Sequence, residues 1–313
     1  MIGHLSALFK EKIIAFLRVS RANLLIASFG HATLGIILGA TTLFDLFQLK
    51  VLLYIFLHYS IAFFACNINC YYDYHVDRHY KTRLSGSVDI LSKRWLKVIM
   101  SIESMIAIIL ASWFFVQGYP LVSMLSFIGL LAAFSYSAEP IRFKKRGVFS
   151  PLLILFLYSL PILGGWFLFQ NEFNLIIGLF LFGYILMNEG FTLVNMCEDY
   201  EEDKMEHIVT WAHRIGIRRT VKIAVVFSFL GLLCVVSLLL KLNDFIINQG
   251  SIVFFALVVL TTGFIVKATY EVYEILSYED LKQSTKTYGK RLQRWFLITR
   301  FPLIFSALAL LLL

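Results

Sequence analysis

The composition of this 313-residue chain excludes an ordinary soluble domain, because 59% of its residues are hydrophobic and only 15% are charged. Soluble domains carry about 45–50% apolar and about 25% charged residues. A net charge of +8 is compatible with nucleic-acid binding, but the basic cytoplasmic loops of a membrane protein explain it without such a partner. The four cysteines lie in or beside apolar segments and show no CxxC pairing, so neither a disulfide framework nor a zinc ribbon is indicated.

Nine apolar segments are long enough to cross a bilayer as helices. In chain order the predicted spans are 15–40, 51–74, 95–117, 121–138, 150–169, 173–197, 220–240, 251–271 and 295–313. Glycine and proline mark turns between spans, as at residues 118–120 and 248–250. No linker or low-complexity stretch divides the chain. We therefore predict an all-α, polytopic membrane protein with a single domain over residues 1–313.

The loops between the predicted spans differ in charge. Those after the second, fourth, sixth and eighth spans are rich in Lys and Arg, whereas the alternate loops are short and carry few charges. The positive-inside rule then predicts a cytoplasmic N-terminus and a C-terminus on the other side of the membrane. The long charged loops would all lie on the cytoplasmic side.

The second and sixth spans end in the same pattern, an asparagine followed by two aspartates at intervals of four. The residues are Asn69, Asp73 and Asp77 in the first motif and Asn195, Asp199 and Asp203 in the second. This spacing places each set roughly on one face of a helix. Acids at membrane depth near a helix C-terminus need counter-charge, because both the low dielectric and the helix dipole oppose them. Oxygen ligands of this kind suit Mg²⁺, which keeps waters while it bridges to substrate phosphates.

Basic side chains near the motifs offer the positive charge that a leaving diphosphate would need. Lys81 and Arg83 follow the first motif, and a loop between the motifs, residues 136–147, contains Arg142 and Lys144. Fixed cations stabilise charge that grows as a bond to phosphate breaks. A cytoplasmic loop can also be basic for topological reasons alone. The loop by itself does not decide between these two interpretations.

These motifs resemble those of the UbiA superfamily of intramembrane prenyltransferases. The family's first motif, NDxxDxxxD, matches the chain at Asn69, Asp73 and Asp77, and its second, DxxDxxGD, is similar to residues 198–203. Residues 136–147 resemble the YSxPPxRxKxxG segment of the branch that contains chlorophyll synthase, homogentisate prenyltransferases and digeranylgeranylglyceryl phosphate synthase. The resemblance implies a helical bundle in which cytoplasmic loops cap the site.

The chain departs from the family pattern at four positions. Cys70 and Met196 stand where an aspartate is usual, Glu202 replaces a glycine and Glu139 replaces a proline of the loop. Each motif nevertheless keeps two aspartates, so the metal-binding expectation stands.

The resemblance implies prenyl transfer to an acceptor in the membrane. Mg²⁺ held by the motifs would bind the diphosphate of a prenyl donor, ionisation would leave an allylic cation, and the acceptor would attack it. The implied metal ligands are Asn69, Asp73, Asp77, Asn195, Asp199 and Asp203, and the implied catalytic residues are Asp73, Asp77, Asp199, Asp203 and Tyr136. The implied substrate-binding residues are Asn69, Lys81, Arg83, Arg142, Lys144, Asn195 and Lys204. An aromatic quinone precursor, a polyprenylated lipid, a chlorin or a glycerol phosphate all remain open as acceptor.

Two further segments receive simpler interpretations. Arg18 and Arg21 flank the first span, where snorkelling to the interface explains them, although the family often has an Arg near this point. Residues 271–290 are expected to form a solvated, partly helical loop that could cover the site.

Other functions fit parts of the pattern. A terpene cyclase on the same scaffold would capture the cation within the donor, and product analysis without an acceptor distinguishes it. A cation-coupled transporter would also hold intramembrane acids, but nearer mid-membrane and without need of the basic loop. Cys70 and Cys197 could form a soft-metal site with His75 or His207, although a buried Cys more often acts as a small apolar residue.

Overall fold

The computed structural model describes residues 2–147, 149–205, 208–247 and 252–312, and within these ranges the regular secondary structure is helical. The α-helices are α1 (Ile2–Val19), α2 (Ala22–Gly39), α3 (Leu49–Tyr80), α4 (Thr82–Leu91), α5 (Lys93–Val116), α6 (Pro120–Ser137), α7 (Phe149–Trp166), α8 (Leu175–Glu198), α9 (Tyr200–Met205), α10 (Trp211–Ile215), α11 (Ile217–Ile247), α12 (Ile252–Glu274), α13 (Leu281–Gly289) and α14 (Leu292–Leu311). Short 3-10 helices cover Leu43–Phe47, Phe143–Lys145 and Ile275–Ser277. The predicted turn at 248–250 lies outside the described residues.

Eight helices in the described ranges are long and apolar enough to cross a bilayer. They are α3, α5, α6, α7, α8, α11, α12 and α14, and they correspond to the second through ninth predicted spans. Many of their large apolar side chains are exposed, as expected of a surface that faces lipid. The chain is therefore an integral, multi-pass membrane protein.

The first predicted span differs from the structure. Residues 15–40 are not one helix, because α1 ends at Val19 and α2 begins at Ala22. Arg21 lies between them with a φ of 50°, a left-handed conformation that interrupts the hydrogen-bond ladder of a right-handed helix. The described part of α2 contributes the apolar stretch Gly30–Gly39.

Local sequence signals explain several helix ends. The side chain of Asn174 caps α8 by accepting a hydrogen bond from the backbone N–H of Ile177, and Asp280 caps α13 in the same way at Gln283. Pro120 occupies the first turn of α6, where its missing N–H costs no helical hydrogen bond.

The chain forms two compact units. Unit 1 comprises Met1–Phe29 and Leu53–Phe143, and unit 2 comprises Gly30–Leu52 and Lys144–Leu313. In unit 1, α1 packs on α4, α4 on α5, and α5 on α6. A buried cluster draws α1, α4 and the start of α5 towards the part of α3 that carries the first motif. Its members are Ala15, Val19, Cys70, Val88, Leu91 and Leu96.

In unit 2, α8 packs along α11 at glycine positions that let the two backbones approach closely. A Cβ atom at Gly190 would lie 2.1 Å from the Oγ of Ser228, and one at Gly231 would lie 2.5 Å from the backbone nitrogen of Met187. Membrane helices commonly associate through such small residues. The close packing fixes α8, which carries Asn195 of the second motif and ends at Asp199.

Candidate functional site

The first motif lies in the last turns of α3, within unit 1. Asn69, Asp73 and Asp77 follow one another at intervals of one helical turn, and α3 continues to Tyr80, so the whole motif is helical. All three side chains are buried, with Asp73 only 4% and Asp77 only 5% exposed. Burial of two carboxylates on one helix face requires positive charge or bound cations nearby.

Arg142 supplies part of that charge. Its Nη2 donates to Asp73 Oδ1 at 2.8 Å, and its Nη1 donates to Glu139 Oε1 at 3.0 Å. The Nε of Arg142 is buried and has no hydrogen-bond partner among the described residues. Glu139, which departs from the family's loop pattern, therefore helps to hold Arg142. The unsatisfied N–H is a donor that could bind an anionic oxygen atom.

Arg21 was not among the predicted site residues, yet it contacts the first motif. Its Nη2 donates to Asn69 Oδ1 at 3.0 Å, and Asn69 Nδ2 donates to Ser137 Oγ at 3.4 Å. The prediction of a snorkelling side chain missed this contact. The signal available in the sequence was the family's frequent arginine near this position.

The remaining predicted residues of unit 1 are more open. Lys81 and Arg83 are exposed at the start of α4, and the backbone N–H of Lys81 donates to the carbonyl of Asp77 at 2.8 Å. Tyr136 is half-buried near the end of α6. The backbone hydrogen bonds of α3 therefore continue from the motif as far as Lys81.

The second motif, in unit 2, crosses a helix boundary. Asn195 lies in α8, Asp199 is the C-cap of that helix with a ψ of 10°, and Asp203 lies in α9. The expectation of one continuous helix is wrong here, although the Asp203 N–H still donates to the Asp199 carbonyl at 2.8 Å. Asn195 Nδ2 donates to Glu198 Oε2 at 3.1 Å. The three motif side chains are half-buried.

The segment after the second motif is held by a histidine. The imidazole of His213 stacks on Tyr200 with ring centroids 4.2 Å apart, and its Nε2 lies 2.9 Å from the carbonyl oxygen of Tyr200. The Nδ1 of His213 lies 2.8 Å from the Oγ1 of Thr210. Thr210 thus helps to anchor α10 beside α9.

The second half of the basic loop belongs to unit 2. Arg146 forms an isolated parallel bridge with Val209, and a Cβ atom at Gly147 would lie 3.1 Å from the Nε of Arg214. Lys144 is half-buried, whereas Lys204 is exposed on α9. The structure thus brings this part of the loop against the chain that follows the second motif.

Helix α13, in the segment expected to cover the site, packs on the C-terminal end of α8. A Cβ atom at Gly289 would lie 2.6 Å from Glu198 Oε2, and Lys282 forms an ion pair with Glu201. The hydrogen bond from Lys282 lowers the pKa of the Glu201 carboxyl. Residues 271–290 are therefore ordered against the second motif, rather than forming a largely solvated loop.

The donor atoms of the motifs fit Mg²⁺ better than a soft metal. No group of three or more His, Cys, Asp or Glu side chains in the described ranges is arranged to hold a metal by itself. Mg²⁺ commonly uses one or two carboxylates together with waters and substrate phosphates, and Asp73 and Asp77 provide such a pair. Cys70 donates through Sγ to the Val19 carbonyl at 3.3 Å and belongs to the apolar cluster, while His207 lies outside the described residues.

Comparisons with known proteins agree with this architecture. The model of the UbiA prenyltransferase family matches residues 28–298. The chain belongs to the UbiA prenyltransferase family. A UbiA homolog from Archaeoglobus fulgidus, bound to GPP and Mg²⁺, superposes with a TM-score of 0.72 at 16% sequence identity, covering 96% of this chain and 100% of that one.

Two further structures share the UbiA fold. A structure of digeranylgeranylglyceryl phosphate synthase gives a TM-score of 0.66 at 19% identity and covers 96% of this chain and 99% of that one. The apo UbiA homolog from Aeropyrum pernix K1 gives 0.64 at 16% identity, with 92% and 98% covered. No curated protein has a significant sequence match to this chain.

Proposed function

We propose that this UbiA-family protein transfers a prenyl group from a prenyl diphosphate to a lipophilic or aromatic acceptor in the membrane, and that the reaction depends on Mg²⁺. The observation that carries the proposal is the buried Asp73–Arg142 pair, in which one guanidinium N–H has no acceptor within the part of the chain that the structure describes. A diphosphate oxygen is the chemical partner that satisfies such a donor beside a metal-binding carboxylate. The UbiA homolog from Archaeoglobus fulgidus has been solved with GPP and with DMAPP, each with Mg²⁺, which supports the donor class.

The aspartates and the arginines have complementary roles in this proposal. Asp73 and Asp77 in the first motif, and Asp199 and Asp203 in the second, would hold Mg²⁺, which neutralises charge on the diphosphate when bound. Arg142 would orient the diphosphate through its unpaired N–H while Glu139 fixes its second nitrogen. These contacts stabilise the negative charge that the diphosphate gains as the carbon–oxygen bond breaks.

The other predicted residues would complete the donor site. Asn69 and Asn195 are proposed as additional oxygen ligands, and the exposed Lys81, Arg83 and Lys204 as cations that attract the diphosphate. Lys144, in the loop between the motifs, and Tyr136, near the end of α6, are proposed to contact the donor. We also propose that residues 1–313 form one functional domain and that the site lies on the cytoplasmic side, as the charge of the loops predicts.

The proposal is tested by measuring Mg²⁺-dependent diphosphate release from geranylgeranyl diphosphate with purified protein and a panel of acceptors. We expect a prenylated product with at least one acceptor, and its loss in Asp73→Ala and Asp199→Ala. Exposed Asp280→Ala, which removes only the cap of α13, serves as an acidic control. Release accompanied only by cyclic hydrocarbons would indicate a cyclase, and absence of release with every acceptor would refute the proposal.

A further inference from the structure

The break between α1 and α2 is held in place by one turn of α3. Ser20 Oγ donates to Asn67 Oδ1 at 3.2 Å, and Arg21 Nη2 donates to Asn69 Oδ1 at 3.0 Å. The Ser20 and Asn67 side chains are fully buried. Two asparagines that lie two residues apart on α3 therefore bind two consecutive residues of the break.

Arg21 needs such support because its backbone is in the left-handed region, with a φ of 50°. An L-residue rarely adopts this conformation unless surrounding contacts impose it. The conformation also ends α1 and directs the guanidinium to Asn69 in the first motif. A contact that fixes the backbone at Ser20 therefore also determines the position of the Arg21 side chain.

Glu103 on α5 determines the orientation of the Asn67 amide. Asn67 Nδ2 donates to Glu103 Oε1 at 2.7 Å, and both side chains are buried. Because a carboxylate accepts hydrogen bonds, Asn67 must turn its nitrogen towards Glu103 and its oxygen towards Ser20. The other carboxylate oxygen, Oε2, is buried without a hydrogen-bond partner among the described residues. Glu103 thus lies in the protein interior, where Asn67 donates to it.

We propose that Glu103 and Asn67 are positioning residues that fix the backbone at Ser20 and so hold Arg21 against the first motif, where it helps to bind the donor diphosphate. The proposal rests on the function proposed above. Neither Glu103 nor Asn67 needs to touch the substrate, because their effect passes through Ser20 to the backbone of Arg21.

The test measures the dissociation constant of geranylgeranyl diphosphate with Mg²⁺ and, in parallel, the thermal unfolding midpoint in detergent. Glu103→Leu removes the acceptor of Asn67, and we expect donor binding to weaken about tenfold, the effect of losing one hydrogen bond between a misplaced Arg21 and the diphosphate. Glu103→Gln can still accept from Asn67, so its dissociation constant should stay within about threefold of the wild type.

A paired exchange separates positioning from general packing. Asn67→Asp places two acids against each other and should weaken donor binding at least as much as Glu103→Leu. Adding Glu103→Gln to Asn67→Asp restores a donor and an acceptor with reversed roles, and should recover binding. Ser20→Ala should weaken binding several-fold, about as expected from one hydrogen bond, whereas Ser126→Ala, which removes another buried serine hydroxyl of unit 1, should not.

The outcomes are distinguishable from failure of the proposed function. If wild-type protein binds the donor and Glu103→Leu binds it equally well, even with a lower unfolding midpoint, the positioning role is refuted while the function stands. If the double variant shows no recovery relative to Asn67→Asp, the orientation argument is refuted. If wild-type protein does not bind the donor in Mg²⁺, both proposals fall.

Discussion

Arg142 combines an unusual backbone with a buried side chain. Its φ of 36° lies in the left-handed region, which costs a non-glycine residue of the order of 1–2 kcal/mol. The ion pair with buried Asp73 and the hydrogen bond to Glu139 offset this cost. The residue therefore depends on its partners for its conformation, and they depend on it for charge compensation.

We predict that Arg142→Lys weakens donor binding by tenfold or more, since an ammonium group cannot reproduce the guanidinium fork that bonds two acids and still presents an N–H. The measurement is the Mg²⁺-dependent dissociation constant of geranylgeranyl diphosphate. Lys145→Ala is the matched control, because Lys145 is an exposed cation of the same loop. An equal loss in both variants would indicate a general effect of loop charge and contradict the role assigned to Arg142.

At the residue scale, the sequence predicted the first motif and Arg142 from residue type and spacing. The contact between Arg142 and Asp73 is found in the structure, but the contacts of Arg21 and Glu139 were missed. The contacts of both residues depend on the conformation of the backbone between helices. A positive φ at Arg21 or Arg142 cannot be inferred from the presence of an arginine in the sequence. Glu139 departs from the family pattern, and the structure shows that its carboxylate accepts a hydrogen bond from Arg142.

At the scale of helices, Glu271 of α12 bonds to residues at the start of α14. It therefore links the helix that precedes α13 to the helix that follows it. It accepts hydrogen bonds from Trp295 Nε1 at 2.7 Å and from Arg291 Nη1 at 3.3 Å, and it pairs with Arg294. The Glu271 side chain is only 10% exposed. These bonds fix both ends of the segment that includes α13, which packs on α8.

We predict that Glu271→Ala lowers the free energy of unfolding by about 2–3 kcal/mol, because it leaves the buried Trp295 N–H without an acceptor. The partial exposure of both arginines keeps the loss at this level. The measurement is thermal or denaturant unfolding in detergent. Glu274→Ala, which removes a hydrogen bond from Tyr288 nearby, should cost less, and the reverse order would contradict the assignment.

The apolar runs predicted the membrane helices and several of their ends, but not every break between helices. The predicted spans 95–117 and 173–197 agree closely with α5 (Lys93–Val116) and α8 (Leu175–Glu198). The break at Arg21 was not anticipated, since the chain there contains no proline or glycine to signal it. The side chains of Ser20 and Arg21 bond to Asn67 and Asn69 of α3, so tertiary contacts accompany this break.

For the whole molecule, the alternation of basic and nearly uncharged loops leads to a testable topology. With the N-terminus in the cytoplasm, the loop containing Lys145 should be cytoplasmic and the loop containing Glu172 should lie on the opposite side. We expect a membrane-impermeant thiol reagent to label Glu172→Cys in right-side-out vesicles and Lys145→Cys only in inside-out vesicles. The unsubstituted chain controls for its own four cysteines. The reversed labelling pattern would overturn the orientation.

The membrane class and the approximate number of spans followed from composition and length alone, because a bilayer imposes its thickness on every helix that crosses it. The division of contacts into two units was not predicted, and it assigns the two motifs to different units. Sequence spacing describes neighbours along a helix, as in the first motif, but carries little information about which distant segments pack together. The prediction of a single domain remains a prediction.

The Nε–H of Arg142, which has no acceptor among the residues that the structure describes, has a consequence for turnover. On the proposed assignment it would bind the diphosphate part of the donor, and that part leaves the reaction as inorganic diphosphate, whose former ester oxygen has become a further anionic oxygen. The product would then keep the contacts that the diphosphate of the substrate made, so we expect inorganic diphosphate to inhibit the proposed reaction. Steady turnover in a cell would depend on hydrolysis of inorganic diphosphate elsewhere, and the length of the prenyl chain would have to be read by other parts of the protein.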